Sequence, residues 1–214
     1  MKINLLEIPA LYINLEHYIE KNKNIQNILT QCGFKKIIRV EGVLRPQIPY
    51  AGCSAAHYKC LSGINPPFII FEDDCEIKNF RSEIEVPDDA DAVYLGVSSW
   101  ARSNGHSGPF LKYKKVNEDL YQIYNMLGTH AILYLTKEYA NICKRIAHHA
   151  GHLVDFYPDT GFAEIHRLFN VYAFNDPLFF QTSARSGTEN MLTSYPVEDL
   201  TDCNKSYFLP TRII

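Results

Sequence analysis

Three observations in the sequence predict an α/β fold, a mainly parallel central sheet flanked by helices. Short runs of strand formers alternate with segments of helical periodicity. Some of these runs are apolar throughout, as in strands covered on both faces. The first helical segment ends on a glycine and is followed at once by another strand, which makes a βαβ opening.

Leu11-Tyr12-Ile13-Asn14-Leu15 reads as the first strand, and Ile19, Ile25, Ile28 and Leu29 recur at helical spacing over residues 18–32. Gly33 stands where a helix C-cap needs left-handed backbone, and residues 34–40 read as the second strand. A helix over residues 54–62 leads through Gly63 and Pro66-Pro67 to Phe68-Ile69-Ile70-Phe71, an uninterrupted apolar run expected in a central strand. Residues 92–97 and 131–135 give two more strands, the latter followed by a helix over 136–149. Two polar stretches interrupt this order, residues 98–109 and the tail after Ser183. The first is expected to be a lid, with Arg102 and His106 in it, and the second carries Arg185.

At 214 residues the chain is long enough for one well-buried domain, and no linker divides it, so a single domain over residues 1–214 is expected. A formal charge of −3 gives no overall basic field, which argues against a nucleic-acid partner. The N-terminus lacks a signal-peptide pattern and no apolar run reaches the ~20 residues of a membrane span, so a cytoplasmic protein is expected. The six cysteines form no C-x-x-C pair and lie among apolar neighbours, as reduced core thiols do.

The chemistry concentrates at Glu72-Asp73-Asp74, directly after the apolar run. Ligands of open α/β sheets bind at the carboxyl ends of strands. Adjacent carboxylates repel, and a divalent cation that prefers oxygen ligands, manganese or magnesium, compensates them. A solvated acidic turn with a capping role explains the same residues equally well.

The order of short motifs resembles the family 25 glycosyltransferases, which include lipooligosaccharide and collagen galactosyltransferases and related domains of large DNA viruses of algae. The residues that carry the resemblance are Tyr12-Ile13-Asn14-Leu15, Val40-Glu41-Gly42-Val43, Gly52-Cys53-Ser54-Ala55-Ala56-His57, Glu72-Asp73-Asp74, Asp91-Ala92-Val93-Tyr94-Leu95-Gly96, Gly128-Thr129-His130-Ala131 and Val154-Asp155. The resemblance implies a GT-A-like, single Rossmann-like nucleotide-binding domain, and metal-dependent transfer from a UDP-sugar to a glycan acceptor, in the host cytoplasm if the protein is viral. By the same resemblance Asp74 is the first metal ligand, with Glu72 as a second, and Glu72 and Asp73 reach the metal through water or hold the ribose. Tyr12, Asn14, Glu41 and Gly42 lie along the nucleotide, and His57 approaches the diphosphate or orients an acid.

An inverting transfer needs a base for the acceptor hydroxyl. Asp155, which matches the family's late Asp, is the first candidate and Asp159 the second, with helix capping as the alternative for both. Competing readings are a zinc hydrolase built on His148, His152 and Asp155, in which His149 occupies the place of the expected glutamate, and a non-catalytic carbohydrate-binding module.

Overall fold

The computed structural model describes residues 1–98, 100–103, 105–108, 111–152 and 157–182. Its strands are β1 (Lys2–Asn4), β2 (Ala10–Asn14), β3 (Ile37–Glu41), β4 (Phe68–Glu72), β5 (Cys75–Ile77), β6 (Glu83–Glu85), β7 (Ala92–Tyr94), β8 (Ala101–Ser103), β9 (His106–Gly108), β10 (Tyr113–Lys115), β11 (Leu120–Ile123), β12 (Ala131–Tyr134), β13 (Val171–Phe174) and β14 (Phe179–Gln181). The helices are α1 (Ile19–Cys32), α2 (Pro49–Gly63), α3 (Lys137–Ala150) and α4 (Pro158–Ile165).

Eight strands form one sheet in the order β10-β11-β13-β7-β12-β4-β2-β3. β2 lies parallel to both β3 and β4, and β13 parallel to β7, but β12 runs antiparallel to both of its neighbours, as β11 does to β10 and β13. The sheet is therefore mixed, and the expectation of a mainly parallel sheet is corrected. A strand buried on both faces is apolar whichever way it runs, so its composition carries no direction. Direction follows from the connection: among the described residues between β7 and β12 the chain forms short strands and no crossover helix to carry it back to the starting edge.

The alternation within β4 builds the two faces. Ile69 and Phe71 enter a core with Tyr12, Leu133 and, from α1, Ile25, Ile28 and Leu29. Phe68 and Ile70 enter a second core with Tyr94, Tyr134 and residues of α2, α3 and α4, among them Cys60, Cys143 and Phe162. One helix thus covers one face and three the other. All four apolar residues of β4 are fully buried, as the uninterrupted run predicted.

Local signals held well at the helix ends. Gly33 closes α1 with φ 87° and donates its amide to Leu29 and Thr30, which frees the chain to reverse into β3. Thr136 caps α3 through its side chain, accepting the Tyr139 amide at 3.4 Å. α2 begins at Pro49, five residues before the expected Ser54, because proline fits the first helical turn, where no amide partner is needed. Cys32, Cys53, Cys60, Cys75 and Cys143 form no disulfide, and Cys203 lies outside the described residues. No described helix is long and apolar enough to cross a membrane.

Behind the second core, fully buried His166 accepts or donates a hydrogen bond to the Tyr94 hydroxyl at 3.0 Å, and burial pushes its pKa down to about 3. Below the ordinary histidine pKa of about 6.5 the unfolded chain takes up this proton and the folded chain does not, so acid favours unfolding. From this group alone the protein is expected to lose about 3 kcal/mol between pH 6.5 and 4. Urea unfolding of His166→Gln at both pH values should show a correspondingly smaller loss than the unsubstituted protein.

Candidate functional site

Parallel pairing brings the carboxyl ends of β2, β3 and β4 to one edge of the sheet, with Ile13 beside Glu72 and Asn14 beside Glu41. A cleft of about 710 Å³, open to solvent, lies there. Asn14, Gly42, Cys53, Glu72, Asp73 and Asp74 all contribute to its lining. Its wall depends on a close approach of backbones: a Cβ on Gly52 of α2 would stand 2.2 Å from the Val43 carbonyl oxygen. Alanine at an ordinary helix position stabilises by up to about 1 kcal/mol relative to glycine. Here Gly52→Ala is expected to destabilise by about 1–3 kcal/mol in urea unfolding, because the displaced atom is backbone.

The three acids have different surroundings. Burial opposes ionisation of Glu72, but a hydrogen bond from His57 Nε2 at 3.0 Å and one from Thr129 Oγ1 at 2.5 Å outweigh it and lower the Glu72 pKa. The strand holds this residue too, since its amide donates to the His130 carbonyl at 2.9 Å. Asp73 accepts from Asn14 Nδ2 at 2.7 Å and lies 3.8 Å from Lys21 Nζ, yet burial keeps its pKa above the ordinary value. Asp74 is only 5% exposed and accepts from Gln181 Nε2 at 3.1 Å through Oδ2. Its Oδ1 is buried and has no hydrogen-bond partner among the described residues. Burial first, then the neighbouring charges of Glu72 and Asp73, push Asp74 up to about 7. An orphaned carboxylate oxygen crowded by like charges suits a divalent cation, so the residues present fit one.

The predicted residues divide clearly. Asn14, Gly42, Glu72, Asp73 and Asp74 come together in the cleft. Asn14 is also braced, accepting from Arg39 Nε and Nη2 at 3.3 and 3.2 Å. Tyr12 and Glu41 do not line the cleft. Tyr12 is fully buried under α1, donating to Asn22 at 2.8 Å and accepting from Gln26 at 2.7 Å, and Glu41 is exposed on the edge strand β3, outside the lining. His57 is fully buried and hydrogen-bonded to Glu72 through Nε2 at 3.0 Å. Asp155 lies outside the described residues, as do Arg185 and the rest of the tail.

Asp159 is placed at a second cleft, about 1080 Å³ and open to solvent, that also reaches Cys53, Glu72, Tyr50, Trp100 and Tyr157. The two clefts meet at Cys53 and Glu72. Asp159 sits in the first turn of α4, but its Oδ2 also accepts from the amide of Gly128, 3.2 Å away across the cleft floor. Gly128 supplies that amide with φ 101°, a conformation in which a side chain would be strained. Burial raises the Asp159 pKa against these backbone hydrogen bonds.

The expected lid contains the β8–β9 hairpin. Asn125 holds it, donating from Nδ2 to the Arg102 carbonyl at 2.7 Å and accepting the Arg102 amide on its own carbonyl at 2.9 Å. Arg102 reaches Glu164 at 3.7 Å, while Ser98, Trp100 and Ser107 form part of the second cleft. His148 and His152 are exposed at the end of α3, their rings 4.7 Å apart, and His148 also packs against Tyr58. Among the described residues, three or more donor side chains converge closely enough to share an ion at Cys53, His57 and Glu72, within 4.8 Å of one another, and not at those histidines.

Sequence reasoning gave no role to Cys53, Thr129, Gln181 or Arg39. The four-residue spacing of Cys53 and His57 was a usable signal, since it puts both on one helix face; Gln181 carried none. No protein-family model matches the chain, and no curated protein matches it.

Proposed function

We propose that the protein is a metal-dependent glycosyltransferase of GT-A type, moving a sugar from a UDP-sugar to a glycan acceptor. The observation that carries this reading is the meeting of two clefts at Glu72 and Cys53, one floored by carboxylates and the other walled by aromatic rings. A two-substrate transfer needs two such compartments with one shared boundary, where the reacting carbon lies.

The nucleotide occupies the first cleft, beside Asn14 and Gly42, with its diphosphate toward Glu72-Asp73-Asp74. Asp74, with Glu72, would hold manganese or magnesium, which when bound neutralises charge on the departing diphosphate. His57 and Thr129 fix the Glu72 carboxylate so that it points to one place, and Asn14 does the same for Asp73. In the second cleft, Trp100 and Tyr157 offer ring faces to the acceptor sugar. Asp159 takes the proton of the acceptor hydroxyl as its oxygen bonds to the anomeric carbon. The bond from that carbon to the phosphate oxygen breaks, and its electron pair leaves on the diphosphate. A carboxylate with a raised pKa accepts a proton more readily than an ordinary one.

Calorimetry with UDP-sugars, with and without manganese, tests the reading. Binding is expected with manganese and strongly weakened when the metal is chelated; absence of any metal-dependent nucleotide binding would sink it.

A further inference from the structure

The Cys53, His57 and Glu72 cluster does more than steer a carboxylate. We infer that these side chains form a binding site for a borderline-soft divalent ion of the zinc type, at the boundary between the two clefts. Cys53 and His57 are one turn apart on α2, and His57 reaches Glu72 at the end of β4, so the three donor side chains converge. The Sγ, imidazole nitrogen and carboxylate oxygen lie within 4.8 Å of one another, and His57 Nε2 and Glu72 Oε1 are already 3.0 Å apart.

The donor set decides the metal. Manganese and magnesium prefer oxygen, whereas a thiolate with an imidazole and a carboxylate selects zinc over them. Zinc bonds of about 2.0–2.3 Å hold ligand atoms roughly 3.3–3.7 Å apart in a tetrahedral site, so the widest of the three separations closes by about 1 Å at most while His57 Nε2 and Glu72 Oε1 open slightly from 3.0 Å. Three protein ligands leave the fourth position open, and because Cys53 borders both clefts, that position faces substrate space. Binding releases the Cys53 thiol proton to solvent and shifts the His57 proton from Nε2, where it faces Glu72, to Nδ1, which has no hydrogen-bond partner among the described residues, while one thiolate and one carboxylate balance the charge of the ion.

Glu72 belongs to this site and to the donor site proposed above. Resting on that reading, zinc at Cys53 excludes the manganese-bound donor, so zinc inhibits transfer by competition. The zinc site itself stands without that reading.

Cobalt serves as the probe, because a cobalt–thiolate bond gives a near-ultraviolet charge-transfer band that oxygen and nitrogen ligands do not. Addition of cobalt to the full chain is expected to produce the band, and zinc to remove it. Cys53→Ser is expected to abolish the band and to weaken zinc binding at least about tenfold, whereas Cys32→Ser, remote on α1, keeps both. No band in the unsubstituted protein, or a band that survives Cys53→Ser, overturns the site. Should Cys53→Ser fold poorly, thiol labelling of the unsubstituted protein with peptide mapping decides instead. Zinc is expected to slow modification of Cys53 more than that of Cys32, and equal rates overturn the site. Manganese-dependent UDP-sugar binding, measured on the same sample, reports on the transferase separately: its loss with an intact cobalt band removes the inhibition but leaves the metal site.

Discussion

Replacing Asp159 by asparagine is expected to lower sugar transfer by about 10²- to 10⁴-fold, the usual worth of a positioned general base. Asparagine keeps the oxygen that accepts the Gly128 amide at 3.2 Å, so α4 and the cleft floor should keep their shape. Only proton acceptance is lost. Donor affinity, read by calorimetry with manganese, should be nearly unchanged, since Asp159 contributes to the second cleft and not the first. Equal turnover in the variant would return Asp159 to the capping role that its place in the first turn of α4 also allows.

Asp74→Asn should produce two opposite effects. Manganese-dependent nucleotide binding is expected to fall at least about 100-fold, because the variant lacks a charged ligand for the cation. The fold, in contrast, should gain stability. Asp74 is held up to about 7 by burial and by Glu72 and Asp73, so its ionisation in the folded chain is increasingly unfavourable from the ordinary carboxylate pKa upward. Stability from this group is lost as the pH rises from about 4 to about 7, and the amide that replaces it in the variant has no proton to lose. At pH 7 the variant should therefore unfold later, by on the order of 1 kcal/mol or more, in urea measured without metal. A variant that loses both stability and binding would point to a structural carboxylate. Strain of this kind, relieved by mutation at the expense of activity, marks functional positions.

Much of this arrangement was legible in the chain. The buried run before Glu72 located β4, and Gly33 and Thr136 marked the helix boundaries that the structure has. Asn14, Gly42 and the acidic triplet were expected at one ligand edge and line one cleft. Tyr12 shares a strand face with Asn14 but sits two residues deeper, under α1. Glu41, paired with Asn14, faces water because its strand is at the sheet edge.

The sequence by itself determined the α/β class and the acidic turn at the end of a buried strand. These follow from periodicity and spacing over a few residues, where the backbone geometry of helix or strand fixes which side chains are neighbours. Tertiary structure alone decided the direction of β12, the approach of Asp159 to Gly128, and the partners of the acids, with Thr129 57 and Gln181 107 residues away from the carboxylates they hold. Such contacts depend on how distant segments pack, and a hydroxyl, an amide or an aspartate has the same local sequence signature whether it meets a carboxylate across a cleft or only water.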